Sequence, residues 1–450
     1  MKQLATQLGA TEFACVRNLD YVFAPFELYP LAQRVQPPLE RIAAFAIDMD
    51  GTSTTTEPLA LHALEYMVRR FTGRATPADW PGLDEKLDYP HVIGNSNFRH
   101  TEFLVERYRQ HLNHEAFRQA FFEAVCWTLA VMDDPQRRRD VMQSARHCGL
   151  GDLLDDGDFG WLVSSSTVTA ENVGRLVAPF VQRFGHAFRY DHLGQFVAAA
   201  LDIYYLRYHS ILRLIEQGRG EELSRELLGE GGRRLIEPML GYDVFVPLIK
   251  GWLGYEIDGL YEMLRGELLR DPSVDHSEAG FEAARPRFAR LVEHFRRNPA
   301  KLALVTASIS YEAHASMKEV MAVTCERVRG WPIARADRDH IAERLADHRA
   351  VFDGFVNASD ACEHRLKPHR DLYSLALQRM SIPREDYRFC VGLEDTEPGI
   401  IALRAAGVGC AVALPNRDTS RQDYSAAAMV IKGGLPELIL RCNLLLPDET

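Results

Sequence analysis

The chain has 450 residues, 46% of them hydrophobic, and a formal net charge of -11. That size suffices for two or three domains with ordinary cores, while the acidic balance argues against broad nucleic-acid binding, which needs Lys and Arg to displace counterions. The eight cysteines show no CxxC pair or zinc spacing, the amino terminus has no apolar signal core, and no run approaches a membrane span. The expectation is a cytoplasmic protein with free thiols and no membrane partner.

Residues 1–38 form a leader of mixed character that ends in Val35-Gln36-Pro37-Pro38, a rigid extended connection. It is expected to pack on the core or on a partner subunit, which leaves a homo-oligomer open, and no chemistry is assigned to it. Next comes Phe45-Ala46-Ile47-Asp48-Met49-Asp50-Gly51-Thr52, an apolar run that ends in two carboxylates one residue apart. Such a pattern predicts a buried parallel strand delivering its chemistry at its carboxyl end. Two anions at that spacing repel each other, and Mg²⁺ is the natural counter-charge for oxygen ligands. A metal site and an anionic substrate follow as expectations.

Ser53-Thr54-Thr55-Thr56-Glu57-Pro58 is a hydroxyl-rich loop, either a flap beside the substrate or a helix cap, and Pro58 suits the first turn of a helix from Leu59 to Arg70. The pattern then stays helical to about residue 284. Helices are predicted from Glu102 to Leu112, Glu115 to Val131, Val173 to Phe184 and Glu221 to Leu228. The clearest one carries Val197, Leu201, Tyr204, Tyr208, Ile211 and Ile215 on a single stripe before Gly218. Asp152 to Gly157 has the look of a calcium loop, but Leu154 and Val163 stand where ligands are required. The pairs His111/His114 and His186/His192 lack a third ligand at a metal spacing.

Near Pro286 the periodicity changes. An amphipathic helix from Arg287 to Arg297 stops at Asn298-Pro299, and Lys301 to Ser308 follows as a buried strand ending in hydroxyls, so a doubly wound parallel sheet resumes here. A third strand is predicted over Val351 to Ala358. The stretch between Ser308 and Val351 is longer than a simple crossover helix. A strand from Tyr387 ends in Glu394 and Asp395, followed by a turn and an Ala-rich helix closed by Gly407. Val408 to Leu414 and Ala428 to Ile431 supply two more strands, and Leu435 to Arg441 a final helix.

Taken together, Asp48-Met49-Asp50-Gly51-Thr52, the strand ending at Thr306, Lys367-Pro368 followed by Asp371 and Tyr373, and Glu394-Asp395 with the Ala405-Ala406-Gly407 helix end resemble the four motifs of the haloacid dehalogenase superfamily. Most of its members are Mg²⁺-dependent phosphatases and phosphomutases. The resemblance implies an α/β fold with a Rossmann-like core over residues 39–57 and 285–450. A helical cap over residues 58–284 would be inserted just after the first motif.

It also implies roles. Asp48 would be the nucleophile that forms an aspartyl-phosphate, and Asp50 the general acid and base. Thr306 and Lys367 would grip the phosphoryl group of a small phosphorylated substrate, with Gly51, Thr52, Ala307 and Ser308 lining its site. Asp48, the backbone carbonyl of Asp50, Asp395 and Glu394 would hold Mg²⁺. An acid at Asp50 favours phosphoryl transfer over dehalogenation, since a halide leaving group needs no proton. Ser53 and Thr55 depart from the family's apolar and acidic residues at those places. A phosphatase is the first expectation, with a phosphomutase or a non-catalytic binding protein on the same core as alternatives.

Overall fold

The computed structural model describes residues 9–18, 24–76, 78–94, 96–228, 231, 234–272, 274, 276–361 and 365–442. The chain divides into two compact units, one comprising residues 1–56 and 236–450 and the other residues 57–235.

The first unit is built on a six-stranded parallel sheet. Its strands are β3 (Ala44–Asp48), β4 (Lys301–Val305), β5 (Gly354–Val356), β6 (Cys390–Glu394), β7 (Cys410–Ala413) and β8 (Met429–Val430), in the order β5-β4-β3-β6-β7-β8. The chain enters at β3, winds outward through β4 and β5, then returns to β6 on the other side. That reversal makes the carboxyl end of β3 the switch point of a Rossmann-like sheet, where such folds bind ligands. Every residue of β3 and β6 is buried, as expected of strands covered on both faces. Register does the rest. Ile47 lies opposite Leu393 and Asp48 opposite Val305, so Asp48, Thr306 and Glu394 leave the sheet side by side.

The third predicted strand is shorter than its apolar run. Residues 348–351 are helical and pairing covers only Gly354–Val356, because Asp353 turns its carboxylate onto the Leu302 N–H at 2.8 Å and onto the Lys250 ammonium at 2.8 Å. The long segment after Ser308 is a helix over Ser310–Arg329 packed against a second over Arg335–Leu345, with Trp331 buried between them in sequence.

The predicted boundary at 284 is displaced to 235, because residues 236–284 belong with the sheet. The helix Tyr242–Ile249 is buried throughout, and Phe245 meets Phe45 of β3 edge-on at 5.3 Å. The helix Asp258–Leu268 packs against the Gly434–Leu440 helix. A run this apolar stabilises the protein only where it can cover the sheet.

The described residues of the leader fold as well. Two strands, β1 (Phe13–Arg17) and β2 (Phe26–Pro30), pair antiparallel, and Val16, Tyr29 and Leu31 bury against Ala405. Arg404 donates to the Ala32 carbonyl at 2.5 Å, tying the hairpin to the helix after β6.

Among its described residues the second unit is all helical. Its centre is Leu193–Glu216, a helix wider in its contacts than one stripe predicts: Phe196, Ala200 and Ile203 are buried along with Val197, Tyr204, Tyr208 and Ile211. Helices Glu57–Thr72, Asn97–Tyr108 and His114–Val131 surround it. Ser96 and Asn113 cap two of these, and the helix predicted from Glu102 starts at Asn97 instead. The calcium-like acids serve helices instead, Asp156 accepting from the Phe159 N–H at 3.0 Å. Among the described residues no helix is long and apolar enough to cross a membrane, and the seven described cysteines are free thiols.

Candidate active site

β3 carries Asp48 to the sheet edge, where its side chain is buried. The Lys367 ammonium, delivered by the loop before the Asp371–Arg379 helix, pairs with both Asp48 and Glu394 and is itself buried. Glu394 has no solvent exposure. Its oxygens also accept from the Tyr373 hydroxyl at 2.8 Å, the Thr396 N–H at 3.1 Å and the Thr396 hydroxyl at 2.9 Å. Space for that carboxylate comes from Gly399, where a Cβ would overlap Glu394.

Asp395 is held by different partners. Thr52 donates to its Oδ1 at 3.1 Å, Asn416 to its Oδ2 at 2.9 Å, and the Tyr424 hydroxyl to its backbone carbonyl. Gly51 turns the chain with φ +79°, and a Cβ there would strike both Asp395 and Asn416. Gly51 and Thr52, predicted as substrate contacts, therefore shape the Asp395 carboxylate in this arrangement.

Asp50 points into another environment. Its carboxylate accepts from the hydroxyls of Thr56, Thr306 (2.7 Å) and Ser308 (3.1 Å), and the Ser308 N–H is taken by the Thr306 oxygen at 2.9 Å. So Thr306 and Ser308, predicted to face a phosphoryl group, here engage Asp50. Ala307 sits half-buried between them.

Asp48, Glu394 and Asp395 bring carboxylate oxygens within 4.8 Å of one another, the one such metal-capable group among the described residues. Three buried carboxylates face one buried ammonium. Burial, then the charge of Glu394, pushes the Asp48 carboxyl well above its usual range, with Lys367 opposing. Burial alone would lower Lys367, but Asp48 and Glu394 outweigh it and the ammonium is held above its ordinary range. An all-oxygen donor set with surplus negative charge fits a hard divalent cation. Asp50 offers its carboxylate to hydroxyls, so its predicted place among the ligands rests on its backbone carbonyl alone.

Sequence reasoning missed Asn416, Tyr424, Thr396 and the orienting role of the Tyr373 hydroxyl. Asn416 had a weak signal, standing just past the predicted Val408–Leu414 strand, where its Oδ1 accepts from the N–H groups of Asp418 and Thr419. Tyr424 reaches Asp395 from a loop with no motif of its own.

No protein-family model and no curated protein matches the sequence. Among solved structures, the chain is similar to CbbY from Rhodobacter sphaeroides in complex with phosphate, at 14% identity and a TM-score of 0.38 over 88% of this chain and 96% of that one. It is also similar to a β-phosphoglucomutase from Clostridium difficile, at 12% identity and a TM-score of 0.33 over 88% and 93% of the two chains. A hydrolase from Pseudomonas syringae matches at 12% identity and a TM-score of 0.35 over 88% and 96%.

Proposed function

We propose that the chain is a Mg²⁺-dependent phosphoryl-transfer enzyme that hydrolyses a phosphate monoester of a small metabolite. The observation that carries this reading is the separation of Asp48 from Asp50. Two carboxylates two residues apart are sent into unlike surroundings, Asp48 against a buried ammonium and Asp50 against three hydroxyls. That difference supports a reading in which Asp48 attacks and Asp50 moves a proton.

In the first step an Asp48 oxygen bonds to phosphorus, the phosphorus–oxygen bond to the leaving group breaks, and Asp50 gives that oxygen its proton. In the second, Asp50 takes a proton from water as the water attacks the aspartyl-phosphate, releasing phosphate and restoring Asp48. Lys367 neutralises the nucleophile and the incoming phosphoryl oxygens together. Thr306 would exchange Asp50 for a phosphoryl oxygen as its acceptor. Asp48, the Asp50 carbonyl and Asp395, with Glu394 in support, would hold Mg²⁺, which would supply positive charge to the transferring group. The helical unit, inserted between Thr56 and Ile236, would act as a cap that excludes water and reads the organic part of the substrate.

The test is hydrolysis of an aryl phosphate with and without Mg²⁺, using wild type beside Asp48→Asn. Mg²⁺-dependent turnover that falls to background in the variant is the expected result. Absence of turnover on that ester and on a panel of sugar and nucleoside phosphates would overturn it.

A further inference from the structure

The leader carries no catalytic motif, yet its second strand reaches the loop that carries Lys367. Glu27 and Tyr29, on the same strand, grip that loop at two points. Arg365 donates to Glu27, donates to the Tyr29 oxygen at 2.9 Å, and holds Asp371 at the start of the following helix at 2.7 Å. His369 Nδ1 lies 2.9 Å from the same Tyr29 oxygen. Because the Tyr29 hydroxyl donates to Glu27 at 2.6 Å, its oxygen is left to accept, which puts the proton of this contact on His369 Nδ1. Arg365 and His369 stand two residues before and two residues after Lys367.

The clamp is itself anchored. Asn18, across the hairpin, donates to Glu27 at 2.9 Å. Burial alone would raise the Glu27 carboxyl, but the hydrogen bonds from Arg365, Tyr29 and Asn18 outweigh it and lower it to about 2. Burial, then Glu27, raises the Tyr29 hydroxyl to about 12, so it stays a donor. Charge-assisted bonds of this kind are stronger than neutral ones and fix geometry as well.

We infer that Glu27 and Tyr29 are positioning residues for Lys367: the amino-terminal hairpin fixes the loop on both sides of the lysine and thereby sets the ammonium between Asp48 and Glu394. The inference rests on the proposed role of Lys367, and it gives the hairpin a part in the chemistry although neither residue contacts the reacting atoms. A four-carbon side chain relays any slack in its backbone to its tip, and misplacement by about 1 Å can cost about a hundredfold in rate.

The experiment uses full-length Tyr29→Phe and Glu27→Gln, with Leu28→Ser on the exposed face of the same strand as control. Two readouts are taken: acetylation of Lys367 by a mild amine reagent, followed by mass spectrometry with Lys301 as internal reference, and the kcat and KM of aryl phosphate hydrolysis. The expected result is a several-fold rise in Lys367 labelling in both clamp variants, a fall in kcat of about tenfold or more with little change in KM, and wild-type behaviour in the control. Wild-type labelling of Lys367, or raised labelling with wild-type kcat, overturns the inference. Should Tyr29→Phe lose its cooperative melting, Glu27→Gln decides. If the wild type hydrolyses no phosphate ester, the proposed function fails while the labelling still decides whether the hairpin sets the lysine.

Discussion

The hydroxyl of Thr306 donates to Asp50 at 2.7 Å although the two residues stand 256 positions apart. β3 and β4 bring them together, since Asp48 pairs with Val305 and the residues just beyond leave the sheet in step. The bond fixes which way the Asp50 carboxylate faces, and Ser308 and Thr56 complete its cradle. For the proton transfer proposed for Asp50, orientation matters as much as acidity.

Thr306→Val keeps the shape of the buried side chain but removes both the donor to Asp50 and the acceptor for the Ser308 N–H. Asp50 retains two hydroxyl partners, so the fold should survive with a loss of about 1 kcal/mol. Turnover should fall by about tenfold to a hundredfold as Asp50 loses its alignment and the phosphoryl group loses a donor. Steady-state hydrolysis of an aryl phosphate beside thermal melting checks both halves, and a variant with wild-type kcat would remove Thr306 from the mechanism.

The strand ends are legible in the sequence because each is written locally, as an apolar run followed by an abrupt acid or hydroxyl. That local pattern is enough to assign Asp48, Thr306, Glu394 and Asp395 to one sheet edge. Lys367 is legible only through its neighbours Pro368, Asp371 and Tyr373. The partners of these groups are not legible. Tyr29 meets His369 across 340 positions and Asn416 meets Asp395 from the loop after β7, and no periodicity records such contacts. The boundary at 235 is hidden for a related reason: the helix Tyr242–Ile249 reads like the helices before it, and its assignment to the sheet comes from tertiary packing such as that on Phe45. At β5, the Asp353 side chain replaces part of the backbone pairing that the apolar run predicts.

Gly399 offers a second test of the acidic cluster, independent of turnover. It lies in the first turn of the Glu397–Ala406 helix, where Ala would ordinarily gain about 1 kcal/mol over Gly in helix propensity. Here its Cβ would overlap the fully buried Glu394 carboxylate, which Lys367, Tyr373 and Thr396 already hold on its other sides. Gly399→Ala should therefore destabilise the protein by about 1–3 kcal/mol, the usual cost of overpacking. If Glu394 supports a metal, the variant should also lose the rise in melting temperature that saturating Mg²⁺ gives the wild type, a rise set by ligand binding to the native state. Differential scanning calorimetry with Mg²⁺ and with a chelator measures both, and an unchanged melting temperature and Mg²⁺ response in Gly399→Ala would mean that the carboxylate moves aside freely.

His62 sets an acid limit within the helical unit. Burial, then the neighbouring Arg207 guanidinium, lowers its imidazole to about 4, and Arg207 donates to His62 Nε2 at 3.2 Å, which requires that nitrogen to be unprotonated. Unfolding returns the histidine to about 6.5, its ordinary value. Between those two values the unfolded chain binds a proton that the folded one does not, so stability rises with pH across that window. The contribution is complete above about pH 6.5 and is lost as pH falls toward about 4. His62→Gln keeps an acceptor for Arg207 and cannot titrate, so its melting temperature should fall less steeply than that of wild type between about pH 6.5 and about 4, while the two run parallel above about pH 7. Parallel curves through the whole range would show that the buried imidazole protonates in the folded state without cost, against the Arg207 geometry.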